Sequence, residues 1–172
     1  NYFNKIAING NVGGNAAEPL RFIFKDFDVR PLNKLLVVYD VEFGGVLNGN
    51  VNLMGLNDKP LVNGNLFIKD FAFFKDSIGD ANIVSDYNSK SEVLHLEGNV
   101  MRHGDSTLTF DGDYRIGEKD DYLDFDVSVQ KIQLSTLQHY FDGLVSNLTG
   151  RGTGKLKISG TAKTPIITGK AL

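Results

Sequence analysis

The chain has 172 residues, of which 41% are hydrophobic and 23% charged, with 19 Gly, 4 Pro and neither Cys nor Trp. This length suits one domain with a buried core, and the absence of Cys excludes disulfides, thiol nucleophiles and iron–sulfur clusters. Eighteen basic against twenty-one acidic residues give a net charge of −3, so nothing predicts an extended basic surface for nucleic acid or anionic lipid headgroups.

The chain opens with Asn1, Tyr2, Phe3 and Asn4, without an initiator Met, a basic leader or an apolar leader. No stretch approaches the 18 or so uncharged apolar residues that a membrane-spanning helix needs. We therefore expect a segment of a longer protein.

Apolar and polar residues alternate with period two along most of the chain, which predicts an all-β protein with one wet and one apolar face per strand. In chain order, strands are expected at 5–12, 20–28, 35–43, 47–53, 62–68, near 81–85, and at 94–100, 108–116 and 123–129. Residues 117–120 form a predicted hairpin loop. At typical strand lengths the chain holds about a dozen strands.

Two short stretches have helical spacing instead, at 30–36 and 133–140. In the second, Leu134, Leu137 and Phe141 recur at helical intervals, and Ser135 is a suitable N-cap. We expect one or two short helices in an otherwise all-β chain.

An internal repeat relates two parts of the chain at a separation of 105 residues. Residues 28–67 match 133–172 without a gap, which predicts that residues 1–172 are a single segment of a longer β array. The repeat is marked by Gly49, Gly55, Pro60 and Gly64, which recur as Gly154, Gly160, Pro165 and Gly169.

The apolar positions of the alternating strands are the main candidate site, because a shared apolar face must be covered by a second sheet, by closure or by a ligand. We interpret them as the lining of a groove for lipid or a client chain; the alternative is an ordinary sandwich or barrel core. They are Leu47, Val51, Leu53, Val62, Leu66, Ile68, Leu94, Leu96, Val100, Leu108, Phe110, Phe125, Val127, Leu156 and Ile158.

The repeated spacing Gly-x5-Gly-x4-Pro-x3-Gly follows a short amphipathic segment in each copy, at 31–36 and 134–141. This arrangement resembles the C-terminal part of the translocation and assembly module (TamB) family, within the AsmA-like group, over essentially the whole chain. The Asn- and Lys-rich wet faces are typical of a Bacteroidetes sequence.

The resemblance implies an elongated sheet that curls lengthwise into a taco-like half-pipe with an apolar lining. It also implies a periplasmic segment of an envelope protein that is anchored in the inner membrane, with no enzymatic activity, cofactor or metal. Two roles follow from the family: passage of phospholipid acyl chains between the membranes, and assembly of outer-membrane proteins with a TamA- or BamA-like barrel. In the second role, partner strands would add to the end strands, near 5–12 or 166–172.

Several local features are given structural rather than functional interpretations. Phe71, Phe73 and Phe74 break the alternation, and we prefer a strand covered on both faces to a lid or partner contact. Residues 150–154 are assigned to strand curvature, because this Gly-rich run lacks the ending of a phosphate loop. A polysaccharide-active β-helix is disfavoured by the long repeat and the absence of Trp.

Charged and modifiable residues are also interpreted conservatively. His95, His103 and His139 lack metal-ligand spacing and are taken as separate surface side chains. The triplets at 76–78, 105–107 and 147–149 match glycosylation patterns only weakly. A solvated face is preferred to a calcium site or a glycosidase carboxylate pair for the acidic cluster of Asp111, Asp113, Asp120, Asp121, Asp124 and Asp126.

Overall fold

The computed structural model of the chain describes residues 5–10, 19–35, 42–54, 61–73, 76–88, 90–115, 122–133, 149–162 and 164–171. These residues form ten β-strands and one short 3-10 helix, Arg30–Leu35. The strands are β1 (Lys5–Asn9), β2 (Leu20–Asp28), β3 (Phe43–Met54), β4 (Leu61–Phe73), β5 (Asp76–Asn88), β6 (Val93–Arg102), β7 (Asp105–Arg115), β8 (Tyr122–Gln133), β9 (Arg151–Gly160) and β10 (Pro165–Ala171).

The ten strands make one antiparallel sheet in which spatial order equals chain order, from β1 to β10. The sheet is not closed within the described residues, because β1 and β10 each have one neighbour. At about 4.8 Å per strand spacing, the stack is about 43 Å long. The prediction of an all-β fold is confirmed, and the open sheet is consistent with the predicted curled half-pipe.

Two predicted elements differ in detail from the structure. Of the strand expected at 35–43, Leu35 instead ends the short helix and Phe43 begins β3, while residues 36–41 lie outside the described residues. The helical spacing predicted at 30–36 is confirmed there as a 3-10 helix rather than an α-helix. The second predicted helix and the hairpin loop at 117–120 lie outside the described residues.

Directly paired residues of antiparallel strands point to the same face, so the register assigns each side chain to one of two faces. One row across the sheet runs from Leu47 to Ile68, then to Ala81, Val100 and Leu108. We call the face that carries this row the inner face and the opposite one the outer face.

A belt of register shifts crosses the sheet beside this row. Because an extra residue bends the strand and increases its twist, aligned bulges curl the whole sheet along one edge. We call this edge, beyond the bulges, the bulged rim. The shifts lie between Phe24 and Phe27, Gly44 and Val46, Ile68 and Phe71, Val100 and Met101, and Val129 and Ile132.

Side chains of neighbouring strands satisfy the backbone N–H groups that the bulges remove from the ladder. Asp26, with φ 49°, donates its N–H to Asn48 Oδ1 at 3.0 Å. Lys131, with φ 51°, donates to Thr153 Oγ1 at 3.2 Å. These hydrogen bonds hold non-glycine residues in a conformation that they rarely adopt.

Among the described residues, the most buried ones cluster where the inner face meets the bulged rim. Val29 and Leu32 fold back from β2 onto the inner face, and Asn33 exchanges two 2.9 Å hydrogen bonds with the backbone of Phe43. The short helix therefore covers this end of β3. The six buried residues that form this rim core are Phe27, Val29, Leu47, Ile68, Ala81 and Val100.

The pairing of β2, β3 and β4 recurs in β8, β9 and β10. Phe22 faces Val51 as Val127 faces Leu156, 105 residues later in each strand. The bulge hydrogen bond from residue 26 to residue 48 likewise recurs from 131 to 153. The repeat of 28–67 in 133–172 stays a prediction; its Gly55 and Pro60 lie outside the described residues.

Candidate functional site

All fifteen residues proposed to line a groove lie on the inner face, in rows that run across the sheet. Leu47, Ile68 and Val100 are buried in the rim core, and the other twelve are half-buried. A face under a second layer would be buried throughout, so partial exposure indicates that most of this face lacks such a cover. Among the described elements, only the short helix packs on it.

The inner face carries no charged residue in its rows between the bulges and the opposite rim, within the described part of the chain. Ser85, Tyr87 and Tyr114 are its polar side chains there, and the hydroxyl of Ser85 donates to the Gly64 carbonyl at 3.5 Å. Charged residues occupy the alternate positions and therefore point outward. The result is a continuous uncharged surface from β1 to β10.

The sequence prediction missed several inner-face residues on β1, β2 and β5. On β2 the bulge places two residues, rather than one, between the successive inner positions Phe24 and Phe27, so simple alternation fails there. On β5 the polar residues Ser85 and Tyr87 hide the period. The missed apolar residues on these three strands are Ile6, Ile8, Leu20, Phe22, Phe24, Phe27, Ala81 and Ile83.

Glycines on the inner face lie opposite large apolar residues of the next strand. Gly98 faces Phe110, and Gly112 faces Phe125. A Cβ on Gly98 would lie 2.5 Å from the Phe110 ring, and one on Gly112 would lie 2.6 Å from the Phe125 ring. Each aromatic ring thus covers the glycine opposite it. Because glycine has no side chain, the inner face takes up less width at these positions, which allows the sheet to be concave.

The outer face of β3 to β6 is lined by asparagines. Asn50 lies opposite Asn65, and Asn82 opposite Asn99, with a 3.2 Å hydrogen bond between the amides of the latter pair. Phe67 and Val84 interrupt this polar surface, with 39% and 38% of their areas exposed. The two faces of the sheet therefore differ sharply in chemistry.

The outer face of β6 to β8 carries part of the acidic cluster, beside His95. Its Nδ1 lies 2.9 Å from Asp113 Oδ1, and its Nε2 lies 3.5 Å from Asp111. The Asp113 hydrogen bond is the main cause that raises the pKa of His95 above 6.5, opposed by partial burial and aided by Asp111 and Glu97. His95 is therefore not the separate surface side chain that the sequence predicted.

Across β8 and β9, Lys157 contacts Asp124 at 2.5 Å and Asp126 at 3.3 Å. The hydrogen bond to Asp124 is the largest cause that raises the pKa of Lys157, and the contact with Asp126 adds to it. His95, Glu97 and Asp111 each have one potential metal-ligand atom near a common point. Because these side chains point to the outer face and His95 pairs with Asp111, we interpret them as a surface ion-pair cluster rather than a metal site.

The remaining predicted features lie near the rims. Phe71 stacks on Phe43 with ring centroids 5.7 Å apart, which fits a strand covered at this end; the side chain of Phe73 and all of Phe74 lie outside the described residues. Gly150 precedes β9 with φ 95°. His103 is exposed in the turn between β6 and β7, and His139 is outside the described residues.

In the described strands the inner face is thus an apolar surface whose rows carry no charged residue. No helix among the described residues is long and apolar enough to cross a membrane. Comparison with curated proteins and with solved structures gave no match. Comparison with protein families matched the TamB C-terminal domain over residues 4–171. The match spans nearly the whole chain and agrees with the open antiparallel sheet, so the chain belongs to the TamB C-terminal domain family.

Proposed function

We propose that this chain is a non-enzymatic periplasmic segment of a TamB-like envelope protein that shields lipid acyl chains as they pass between the inner and outer membranes. The whole protein would be anchored in the inner membrane, work with a TamA- or BamA-like barrel and support outer-membrane biogenesis. One observation carries the proposal: in the described strands the inner face has no charged residue in its rows, and outside the rim core most of its apolar side chains from β2 to β9 are only half-buried.

The energetics favour an acyl chain on such a surface. Burial of each methylene contributes about 0.8 kcal/mol, so a chain of a dozen or more methylenes gains several kcal/mol even when half of its surface stays exposed. Because no charged group interrupts the inner rows, the contacts that a chain loses as it slides are replaced by equivalent contacts. Passage along the groove therefore needs no chemical step.

The dimensions also suit a lipid tail. The hydrocarbon core of a bilayer is about 30 Å thick, so the tails of one leaflet extend about 15 Å. The stack of ten strands, about 43 Å long, exceeds this length nearly threefold. A tail can therefore lie entirely on the inner face with room to move along the stack.

The experiment compares lipids that copurify with the wild type and with two charge variants. Leu96→Asp places a carboxylate in the middle of the inner face, whereas Val84→Asp makes the same kind of change on the outer face. Organic extracts of the folded proteins are analysed by mass spectrometry. We expect near-stoichiometric phospholipid in the wild type and in Val84→Asp, and its loss from Leu96→Asp.

Two results would contradict this function. A lipid-free extract from a folded wild-type monomer would mean that the inner face closes on itself. Equal retention of phospholipid by Leu96→Asp and the wild type would mean that the lipid binds elsewhere.

Strand addition to a sheet edge is the second candidate function. Ile8 of β1 is 58% exposed, and Ile166 and Ile167 of β10 are 57% and 62% exposed, although such edge positions are usually protected by charges. Edge pairing with a strand of a barrel protein would cover them. The side chain of Ile166 points to the outer face of β10. Ile166→Lys should therefore reduce binding of such a strand without changing lipid retention. The groove function, in contrast, predicts no binding of the strand and no dependence on Ile166.

A further inference from the structure

The bulged rim contains a cavity of about 420 Å³ above the turn that joins β6 and β7. The hairpin turns early, at His103 and Gly104, whereas β5 starts at Asp76 and β8 continues to Gln133. β5 and β8 therefore extend beyond the end of the β6–β7 hairpin, and the cavity lies in the gap between their ends. The volume lies within the range of about 300–1,000 Å³ that is usual for small-molecule sites.

Three basic residues from separate strands line the cavity: Arg102, Lys131 and Arg151. None of them forms an ion pair or a side-chain hydrogen bond with another residue in the described part of the chain. Asp76 and Asp105 also line the cavity, so its formal charge is +1 in a protein whose net charge is −3. The fold thus concentrates cations locally, which the overall composition could not predict.

Hydroxyl groups complete the polar lining of the cavity. Ser77 and Ser106 line it, each from one of the two Asp-Ser triplets, which are 29 residues apart in sequence. The neighbouring Thr107 hydroxyl lies 3.4 Å from the Ile78 carbonyl and 3.2 Å from the Val100 carbonyl, and it ties β5, β6 and β7 together below the cavity. Guanidinium and hydroxyl donors together are the groups that bind phosphate oxygens.

The cavity adjoins the apolar inner face. Ile78 lines the cavity and also packs against the rim core. Ile132 lines it from β8 and lies opposite Gly152, on the inner side of the sheet. A single amphiphilic molecule could therefore place its polar end in the cavity and its apolar part along the inner face.

We propose that this cavity binds the phosphate of a phospholipid headgroup, with Arg102, Lys131 and Arg151 as its ligands and the acyl chains on the inner face. The proposal rests on the lipid-shielding function and adds a recognition site for the headgroup. Two unpaired guanidinium groups can each give a phosphate two parallel hydrogen bonds. Ser77 and Ser106 can donate further ones.

The test measures binding of dioleoyl phosphatidylglycerol, of dioleoylglycerol, which has the same tails without phosphate, and of soluble glycerol 3-phosphate. The cavity variant carries Arg102→Gln, Lys131→Gln and Arg151→Gln. The control variant carries the same charge change on exposed outer-face residues, as Arg21→Gln, Lys25→Gln and Lys155→Gln.

We expect the wild type and the control variant to bind the phospholipid at least about tenfold more tightly than dioleoylglycerol, because one charged hydrogen bond is worth about that factor. The cavity variant should lose this preference while it still binds dioleoylglycerol. Replacement of Arg102 and Arg151 by Lys should retain part of the preference, because the charge remains. Thermal unfolding of all variants checks that each is folded.

Three other results would overturn the proposal. If the wild type and the cavity variant bind both lipids alike, the headgroup site is wrong and the lipid groove stands. If the control variant loses the preference equally, net charge rather than the cavity selects the phospholipid. If neither lipid binds but glycerol 3-phosphate does, the cavity takes a free phosphate and the lipid-shielding function fails as well.

Discussion

Replacement of Gly112 by Ala tests whether a concave inner face depends on glycine. The added Cβ would lie 2.3 Å from the carbonyl oxygen of Asp124 and 2.6 Å from the Cα of Phe125. Both are backbone atoms of β8, so the contact is relieved only if β7 and β8 separate by about 1 Å, which weakens the hydrogen bonds between them.

The magnitude follows from opposing effects. Overpacking costs about 1–3 kcal/mol, and each weakened ladder hydrogen bond costs up to about 1 kcal/mol. Replacing Gly by Ala in a strand recovers about 0.5–1 kcal/mol of chain entropy. We therefore expect Gly112→Ala to lose about 1–3 kcal/mol of stability and, at about 2–4 °C per kcal/mol, to lower Tm by about 2–12 °C.

The assay is thermal and urea unfolding followed by far-UV circular dichroism. Gly44→Ala is the matched control, because its Cβ would meet only the Ala72 Cβ at 3.3 Å. The control should change stability by less than about 0.5 kcal/mol. The reasoning is refuted if Gly112→Ala is as stable as the wild type, or if Gly44→Ala loses as much.

Two further predictions concern polar side chains. Asn48→Ala and Thr153→Ala should each lose about 1 kcal/mol in urea unfolding, because each leaves a bulge N–H without its acceptor; no loss in either would show that water replaces these bonds. The ion pair of His95 with Asp113 should stabilise the fold by less than about 1 kcal/mol, since both side chains are nearly half exposed. Because the folded-state pKa of His95 is raised, this contribution is fully present below about pH 6.5 and is lost as the pH rises through the folded value. His95→Gln should remove this pH dependence, and an unchanged pH profile of stability would contradict it.

The inner face could be predicted from the sequence because antiparallel strands alternate strictly wherever they are regular. Leu94 and Leu96 of β6, for example, interleave with His95 and Glu97, and their faces follow directly. Prediction failed where this geometry is broken. The bulge in β2 hid Phe27.

The cavity could not be predicted, because its residues come from five strands, β5 to β9, that span about 75 residues of sequence. Ser77 and Lys131 are separated by two complete strands, and only the early turn of the β6–β7 hairpin makes them line one space. The partnership of His95 with Asp113 is hidden for the same reason, since it depends on cross-strand register rather than on local spacing. Such sites require the pairing of the sheet to be known.

The central claim is that lipid chains lie on the inner face, and site-specific photocrosslinking tests it most directly. A photoreactive phenylalanine derivative replaces either Phe110, on the inner face, or its neighbour Thr109, which is exposed on the outer face. After irradiation with phospholipid, mass spectrometry of the intact protein measures the adduct. We expect a phospholipid adduct at position 110 and essentially none at 109; equal adducts at both positions, or none at 110, would mean that lipid chains do not lie on the inner face.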